Sequence, residues 1–157
     1  MQHVSKIFVI ISTLFITSCA TFYKQTKTGV NQNLNKTNSE LSHTFYLIGD
    51  AGNADLGGST PALSSLQKRL ESANENSTVI FLGDNIYPHG LPKKDESTYE
   101  LAKHRLQTQI DAVKDFKGNT IFIPGNHDWH SNGIKGLKRQ EKYVEDQLGK
   151  KTFLPED

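Results

Sequence analysis

Cysteine is all but missing from this chain: Cys19 is the only one in 157 residues. A disulfide framework and a zinc site built from thiolates are thereby excluded, and the single thiol needs its own explanation. An excess of one charge is missing too. Lys and Arg number 18 against 17 Asp and Glu, a formal net charge of +1. The charges are mixed along the sequence, and no basic stripe interleaved with aromatics offers a nucleic acid a footprint. No internal repeat is visible. No apolar run reaches the roughly 20 residues that a bilayer-spanning helix requires. Histidine ends early, since none follows His130. The length suits one domain with a real core and is too short for two large ones.

What is present at the N-terminus has the layout of a leader. Lys6 gives a positive start, and Ile7 to Ile16 is an apolar stretch broken only by Ser12 and Thr13. Such a stretch suits the core of a secretory signal peptide. Ile16-Thr17-Ser18-Cys19 resembles a bacterial lipoprotein lipobox, in which cleavage leaves the cysteine as the acylated first residue. The plainer readings are an ordinary signal peptide with an incidental cysteine, or a short buried helix. The lipobox reading makes residues 1–18 a signal peptide and Cys19 the lipidation site. The protein is then expected to be exported and anchored to a membrane, in the periplasm or at the cell surface. Several acyl chains, each methylene adding roughly 0.8 kcal/mol, make such an anchor stable.

Residues 19–42 are rich in Thr, Asn, Gln and Lys, and apart from Phe22-Tyr23 carry only scattered apolar residues. Such a stretch cannot bury enough surface to offset its ordering entropy and reads as a tether. From His43 the pattern changes. Thr44 to Ile48 suits a buried strand and ends at Gly49-Asp50. Thr60 and Pro61 read as N-cap and first helical residue. Ala62, Leu63, Leu66, Leu70 and Ala73 then mark the apolar face of a helix. Thr78 to Leu82 is a second strand, closing again on Gly-Asp. Pro88 to Ser97 is a loop, and Ser97 or Thr98 opens a long helix with Tyr99, Ala102, Leu106, Ile110 and Val113 on one face. Thr120 to Ile123 is a third strand, stopped by Pro124-Gly125. A last helix is expected from about Leu137 to Leu148. Strands alternating with helices imply an α/β fold with parallel strands and right-handed crossovers, functional groups collecting beyond the strands' carboxyl ends.

Three polar runs fall at those ends: Gly49-Asp50-Ala51-Gly52, Gly83-Asp84-Asn85-Ile86-Tyr87 and Gly125-Asn126-His127-Asp128. Asp50 and Asp84 offer carboxylates, Tyr87 a phenol and Asn126 an amide oxygen. Oxygens of this kind suit hard cations, and a carboxylate can bridge two. Tyrosine is an unusual ligand because its pKa is about 10. A bound cation, a trivalent one above all, favours the anion. If Tyr87 is a ligand, ferric iron is the expected metal. Taken singly, Asp after a strand is often a turn residue or a helix N-cap. Gly49 to Gly58 could also be a nucleotide-binding loop, but it lacks both Gly-x-Gly-x-x-Gly and the Lys-Ser/Thr of a P-loop. Gly-Asn-His-Asp could be a plain polar loop, yet it is much the most specific of the three.

Together the runs resemble the calcineurin-like metallophosphoesterase superfamily and, within it, the purple acid phosphatase branch. That branch carries Gly-Asp-x-Gly, Gly-Asp-x-x-Tyr and Gly-Asn-His-Asp/Glu in this order. Glycine at 52, where other branches have a histidine, together with Tyr87 is the swap expected of it. The resemblance implies an α/β fold, a sandwich of two mixed sheets flanked by helices, of which residues 43–157 supply the N-terminal half. It implies a ferric ion held by Asp50, Asp84 and Tyr87. Asp84 bridges to a divalent iron, zinc or manganese ion that also takes Asn126. His127 contacts the phosphate and stabilises charge or donates a proton. The implied reaction is phosphate-ester hydrolysis by a metal-bridging hydroxide, on a phosphorylated small molecule or protein, with the two cations about 3.5 to 4 Å apart.

The pattern departs from the family in one respect. Later motifs of the family supply three more histidine ligands, and none is present after His130. His89 and His130 lie near the site and are candidates for substrate contact, whereas His104 reads as a surface residue and His43 as lying at the wrong edge of the sheet. Trp129 either shapes the pocket or packs. The segment is therefore expected to be incomplete and inactive by itself. The rival reading is a non-catalytic lipoprotein remnant that binds metal or phosphate. For the anchor, Cys19→Ser is expected to move the protein from the membrane fraction to a soluble or unprocessed form. Unchanged membrane association, with no lipid mass on the mature N-terminus, would exclude the lipobox reading.

Overall fold

Three apolar segments pair as neighbouring parallel strands: β1 (Thr44–Ile48), β2 (Ser77–Phe81) and β3 (Asn119–Phe122), in the order β1-β2-β3. Helix α1 (Pro61–Leu70) joins the first pair and α2 (Tyr99–Val113) the second. A single 3-10 turn at His127–Trp129 leads into α3 (Ile134–Leu148). The computed structural model describes residues 42–155 apart from Asn132. The expected signal peptide, Cys19 and the expected tether, save its last residue, lie outside the described residues. Among these, no helix is long and apolar enough to cross a membrane.

Local signals explain most element ends. The Leu63 N–H donates to the Thr60 side chain at 3.2 Å, with Pro61 opening the helix. Helix α1 stops at Leu70, so Ala73, expected on its apolar face, packs against the core from the turn beyond; Ala62 is exposed. Strands β2 and β3 each start one residue earlier than expected, because Ser77 pairs with Thr44 and Asn119 with Thr78. Helix α3 starts at Ile134, ahead of the expected Leu137, and its first turn includes Gly136, a poor helix former. There the Leu137 N–H bonds back to the Gly133 carbonyl at 3.1 Å.

A strand order of β1-β2-β3 with right-handed crossovers carries both connecting helices over the same face of the sheet. That face is the core. Val79, Phe81 and Phe122 meet Leu63 and Leu66 of α1, Leu106 and Ile110 of α2, and Leu137 and Val144 of α3. Phe81 and Phe122, opposite each other in the register, stack with ring centroids 4.2 Å apart. The other face is bare. Phe45 and Leu47 are each 62 % exposed and Leu82 51 %. The expectation of a buried strand is met by β1 on one side only.

Beyond the strand ends, three loops interlock. The Gly52 N–H donates to the Asp84 carbonyl at 3.1 Å, and the Tyr87 N–H to the Gly52 carbonyl at 2.9 Å. A Cβ at Gly52 would overlap the Asn85 carbonyl, and one at Gly125 would overlap Asp84, so glycine is what lets the loops touch. The second and third loops close around Asp128, which is fully buried. Its carboxylate accepts N–H bonds from Gly125 at 2.7 Å, Ile86 at 3.0 Å and Asn85 at 3.1 Å, and from the Asn85 side chain at 3.3 Å.

Helix α2 braces the loops from behind. Arg105, itself buried, donates to the Ala54 carbonyl at 3.0 Å and the Tyr87 carbonyl at 2.8 Å, joining the first loop to the second. One turn later Gln109 donates to the Asn85 carbonyl at 2.6 Å, and Gln140 of α3 to the Asp128 carbonyl at 3.1 Å. Removing the Asp128 carboxylate strands three buried donors on Asn85 and Ile86, each costing about 1–3 kcal/mol, together with the half-buried Gly125 N–H. Asp128→Ala is therefore expected to lower stability by at least about 3 kcal/mol in urea unfolding, and Asp128→Asn by less, since one oxygen remains to accept. A loss below about 1 kcal/mol for the alanine variant would show that the carboxylate does not hold the loops.

Candidate metal centre

Asp50 and Asp84 are the second residue of matching Gly-Asp pairs that leave β1 and β2, and both adopt left-handed backbone, φ 54° and 52°. Aspartate tolerates this region better than most residues, but the conformation still costs about 1–2 kcal/mol. Two such residues on neighbouring parallel strands aim their carboxylates at a common point, and Tyr87 marks it. Its hydroxyl lies 2.6 Å from Asp50 Oδ1 and 3.0 Å from Asp84 Oδ2. Oxygens from three side chains, delivered by two loops, thus converge within hydrogen-bonding distance. The cluster is open to solvent: Asp50 is exposed, and Asp84 and Tyr87 are half-buried.

The convergence tests whether these residues suit a cation. The phenol proton now stands between two carboxylates, and hydrogen bonding to Asp50 first, loss of hydration second and bonding to Asp84 third raise the Tyr87 pKa above its usual value. A positive charge taking the proton's place would meet two carboxylates and a phenolate, a hard oxygen set. The residues therefore fit a metal ion. Among the described residues no group of three His, Cys, Asp or Glu side chains could hold one. The set has its third member only because of the tyrosine.

The third loop reaches the cluster through its backbone. The His127 N–H donates to Asp84 Oδ1 at 3.0 Å, so the two oxygens of Asp84 face different loops. The His127 ring packs beside Tyr87, centroids 4.5 Å apart, with Nδ1 at 2.7 Å from the Pro88 carbonyl. A carbonyl can only accept, so Nδ1 carries the proton and Nε2 is the nitrogen left for chemistry. Asn126 is exposed at the head of the same turn, and no hydrogen bond draws its side chain to the three oxygens. His130 lies 5.3 Å from His127 and 5.6 Å from His89, ring to ring, and the His89 and His130 Nδ1 atoms are 3.5 Å apart. The two expected substrate-contact residues therefore extend the rim outward from His127.

Other expectations resolve as follows. His43 bonds the Thr78 side chain at 2.9 Å, away from the cluster. His104, expected as an ordinary surface residue, makes an exposed bond to the Gly58 carbonyl at 2.8 Å that ties the first loop to α2. Trp129 is 44 % exposed. Sequence reasoning missed Asp128, Arg105, Gln109 and Gln140 as the frame of the site. Asp128 carried a signal, since it sits in the most specific of the three runs. Arg105 and Gln109 carried a weaker one: both follow the apolar face of α2 closely enough to be buried with it. Burial pushes the Asp128 carboxyl above its usual range, and the N–H donors of Gly125, Asn85 and Ile86 pull it back.

No curated protein and no solved structure matches this chain. A protein-family profile does, and it spans residues 43–155, which take in all three polar runs, the sheet and the helices behind it. That family hydrolyses phosphate esters and generally uses divalent metals, in keeping with the converging oxygens. The chain belongs to the calcineurin-like phosphoesterases.

Proposed function

We propose that the protein is a phosphatase of the purple acid phosphatase-like branch, with a ferric ion on Asp50, Asp84 and Tyr87. Asp84 and Asn126 would hold a second, divalent ion of iron, zinc or manganese. The observation that carries this reading is the Tyr87 hydroxyl lying against both carboxylates, 2.6 Å and 3.0 Å away. The bridging role of Asp84 draws support from its two oxygens, one turned to Tyr87 and the other to the His127 loop.

When bound, the metals supply positive charge opposite the phosphoryl oxygens and lower the pKa of water at the site. The chain's own groups do the rest. Asp50 and Tyr87 fix one side of the cluster, and Asp84 joins it to the third loop. His127, its tautomer set by the Pro88 carbonyl, presents Nε2 toward the ester and, when protonated, can give a proton to the leaving oxygen. His89 and His130 on the rim contact the phosphorylated substrate, a small molecule or a protein. The open setting of the cluster is compatible with either. Cys19 as a lipid anchor would place this reaction at a membrane outside the cytoplasm.

The iron-loaded protein is expected to show a tyrosinate-to-iron charge-transfer band that Tyr87→Phe abolishes. A band that survives the substitution would remove Tyr87 from the ligand set. Asp84→Asn is expected to lose both metals and nearly all phosphatase activity, whereas His127→Ala keeps the metals and loses turnover. Metal analysis alongside a p-nitrophenyl phosphate assay distinguishes the two. Two metals and ordinary rates in Asp84→Asn would end the two-metal reading.

A further inference from the structure

Away from the oxygen cluster, and sharing no residue with it, a groove of about 430 Å³ opens between α2 and α3. Its size lies within the usual range for small-molecule sites, about 300–1,000 Å³. Its walls are apolar and aromatic: Leu91 and Tyr99, both buried, and Tyr143, half-buried. The Tyr143 hydroxyl donates to Gln107 at 2.6 Å, which fixes that ring.

The rim is cationic, and most of its charge is not neutralised. Arg139 donates from Nε and Nη2 to the Leu91 carbonyl at 3.1 and 2.8 Å, and from its other bonds to the Lys135 and Ser131 carbonyls. These acceptors are neutral. They hold the guanidinium in place without cancelling its charge. Lys94 has no ion-pair partner among the described residues. Lys103 meets only the exposed Glu100, at 3.9 Å, and such a pair is worth little. Lys142 alone is well matched, by Asp146 at 2.8 Å. Four cations thus stand against two carboxylates around a tyrosine-lined floor.

We infer that this groove binds a small aromatic anion, its ring against Tyr99, Tyr143 and Leu91 and its negative group toward Arg139, Lys94 and Lys103. Aromatic walls favour a planar apolar body, and the uncancelled charge of Arg139, with the ammonium donors of Lys94 and Lys103 beside it, favours an anionic group. The site is independent of the metal reading, because none of its contacts involves Asp50, Asp84 or Tyr87.

The test is titration of the full chain with naphthalene-2-sulfonate, a planar anion whose sulfonate is a poor metal ligand, followed by calorimetry and ligand fluorescence. Saturable binding is expected, at least about tenfold tighter than that of the neutral naphthalene-2-sulfonamide. The double variant Lys94→Glu/Lys103→Glu, which changes two surface residues and keeps the parent's circular dichroism, is expected to weaken binding by at least about tenfold. Phe45→Ser, on the bare sheet face, is expected to leave it unchanged. Absence of binding at millimolar ligand, equal binding of the sulfonamide, no effect of the double charge reversal, or loss of binding in Phe45→Ser would each overturn the inference. Metal loading has no part in these readouts, so failure of the two-metal reading leaves them intact.

Discussion

The buried carboxylate of Asp128 is the constraint on which the geometry of the oxygen cluster rests. Burying a charged group is expensive unless it is fully hydrogen-bonded, and this one takes four N–H donors from two different loops. The second loop is grasped at Asn85 and Ile86, between Asp84 and Tyr87 of the oxygen cluster. The third is grasped at Gly125, immediately before Asn126 and His127. A single buried side chain therefore ties together the loops that carry Asp84, Tyr87 and His127. In the order Asn-His-Asp, His127 reaches Asp84 through its N–H while Asp128 turns inward to hold the loops.

Around this clamp the structure accepts local costs. Two aspartates occupy left-handed backbone, and Gly52, Gly83, Gly90 and Gly125 stand where a Cβ would collide with a neighbouring loop. Asn85, Gln109 and Gln140 each direct their amide N–H groups to loop carbonyls or to Asp128 and leave their side-chain oxygens without a partner among the described residues. These amide donors satisfy carbonyls of the turning loops, which have no strand partner of their own. Costs gathered at one end of a sheet, over a conventional apolar core, are the usual signature of a site shaped for chemistry.

The core beneath it is one-sided. The strand order and crossover hand place the helices on one face of the sheet, where Val79, Phe81 and Phe122 are buried, and leave Phe45 and Leu47 in water. A patch of this kind reads differently from single exposed leucines, which are normal on any surface. The α2–α3 groove lies on the helical side and has the opposite character, aromatic at its floor and positive at its rim.

Much was legible in the sequence because it is local. Compact apolar runs ending in Gly-Asp mark β1 and β2, Thr60-Pro61 marks the start of α1, and parallel strands carry their chemistry at their carboxyl ends, so the three polar runs could be placed at one sheet edge, while the roles of Asp50, Asp84, Tyr87, Asn126 and His127 came only with the family resemblance. What the sequence could not determine depends on residues distant in the chain. Asp128 meets Asn85 across 43 positions and Arg105 meets Ala54 across 51. A polar residue on a helix or in a loop looks the same whether it faces solvent or a folded partner. Only the paired strands bring Tyr87 to Asp50, 37 residues away, and make an oxygen cluster from residues that each, alone, would pass for an ordinary turn.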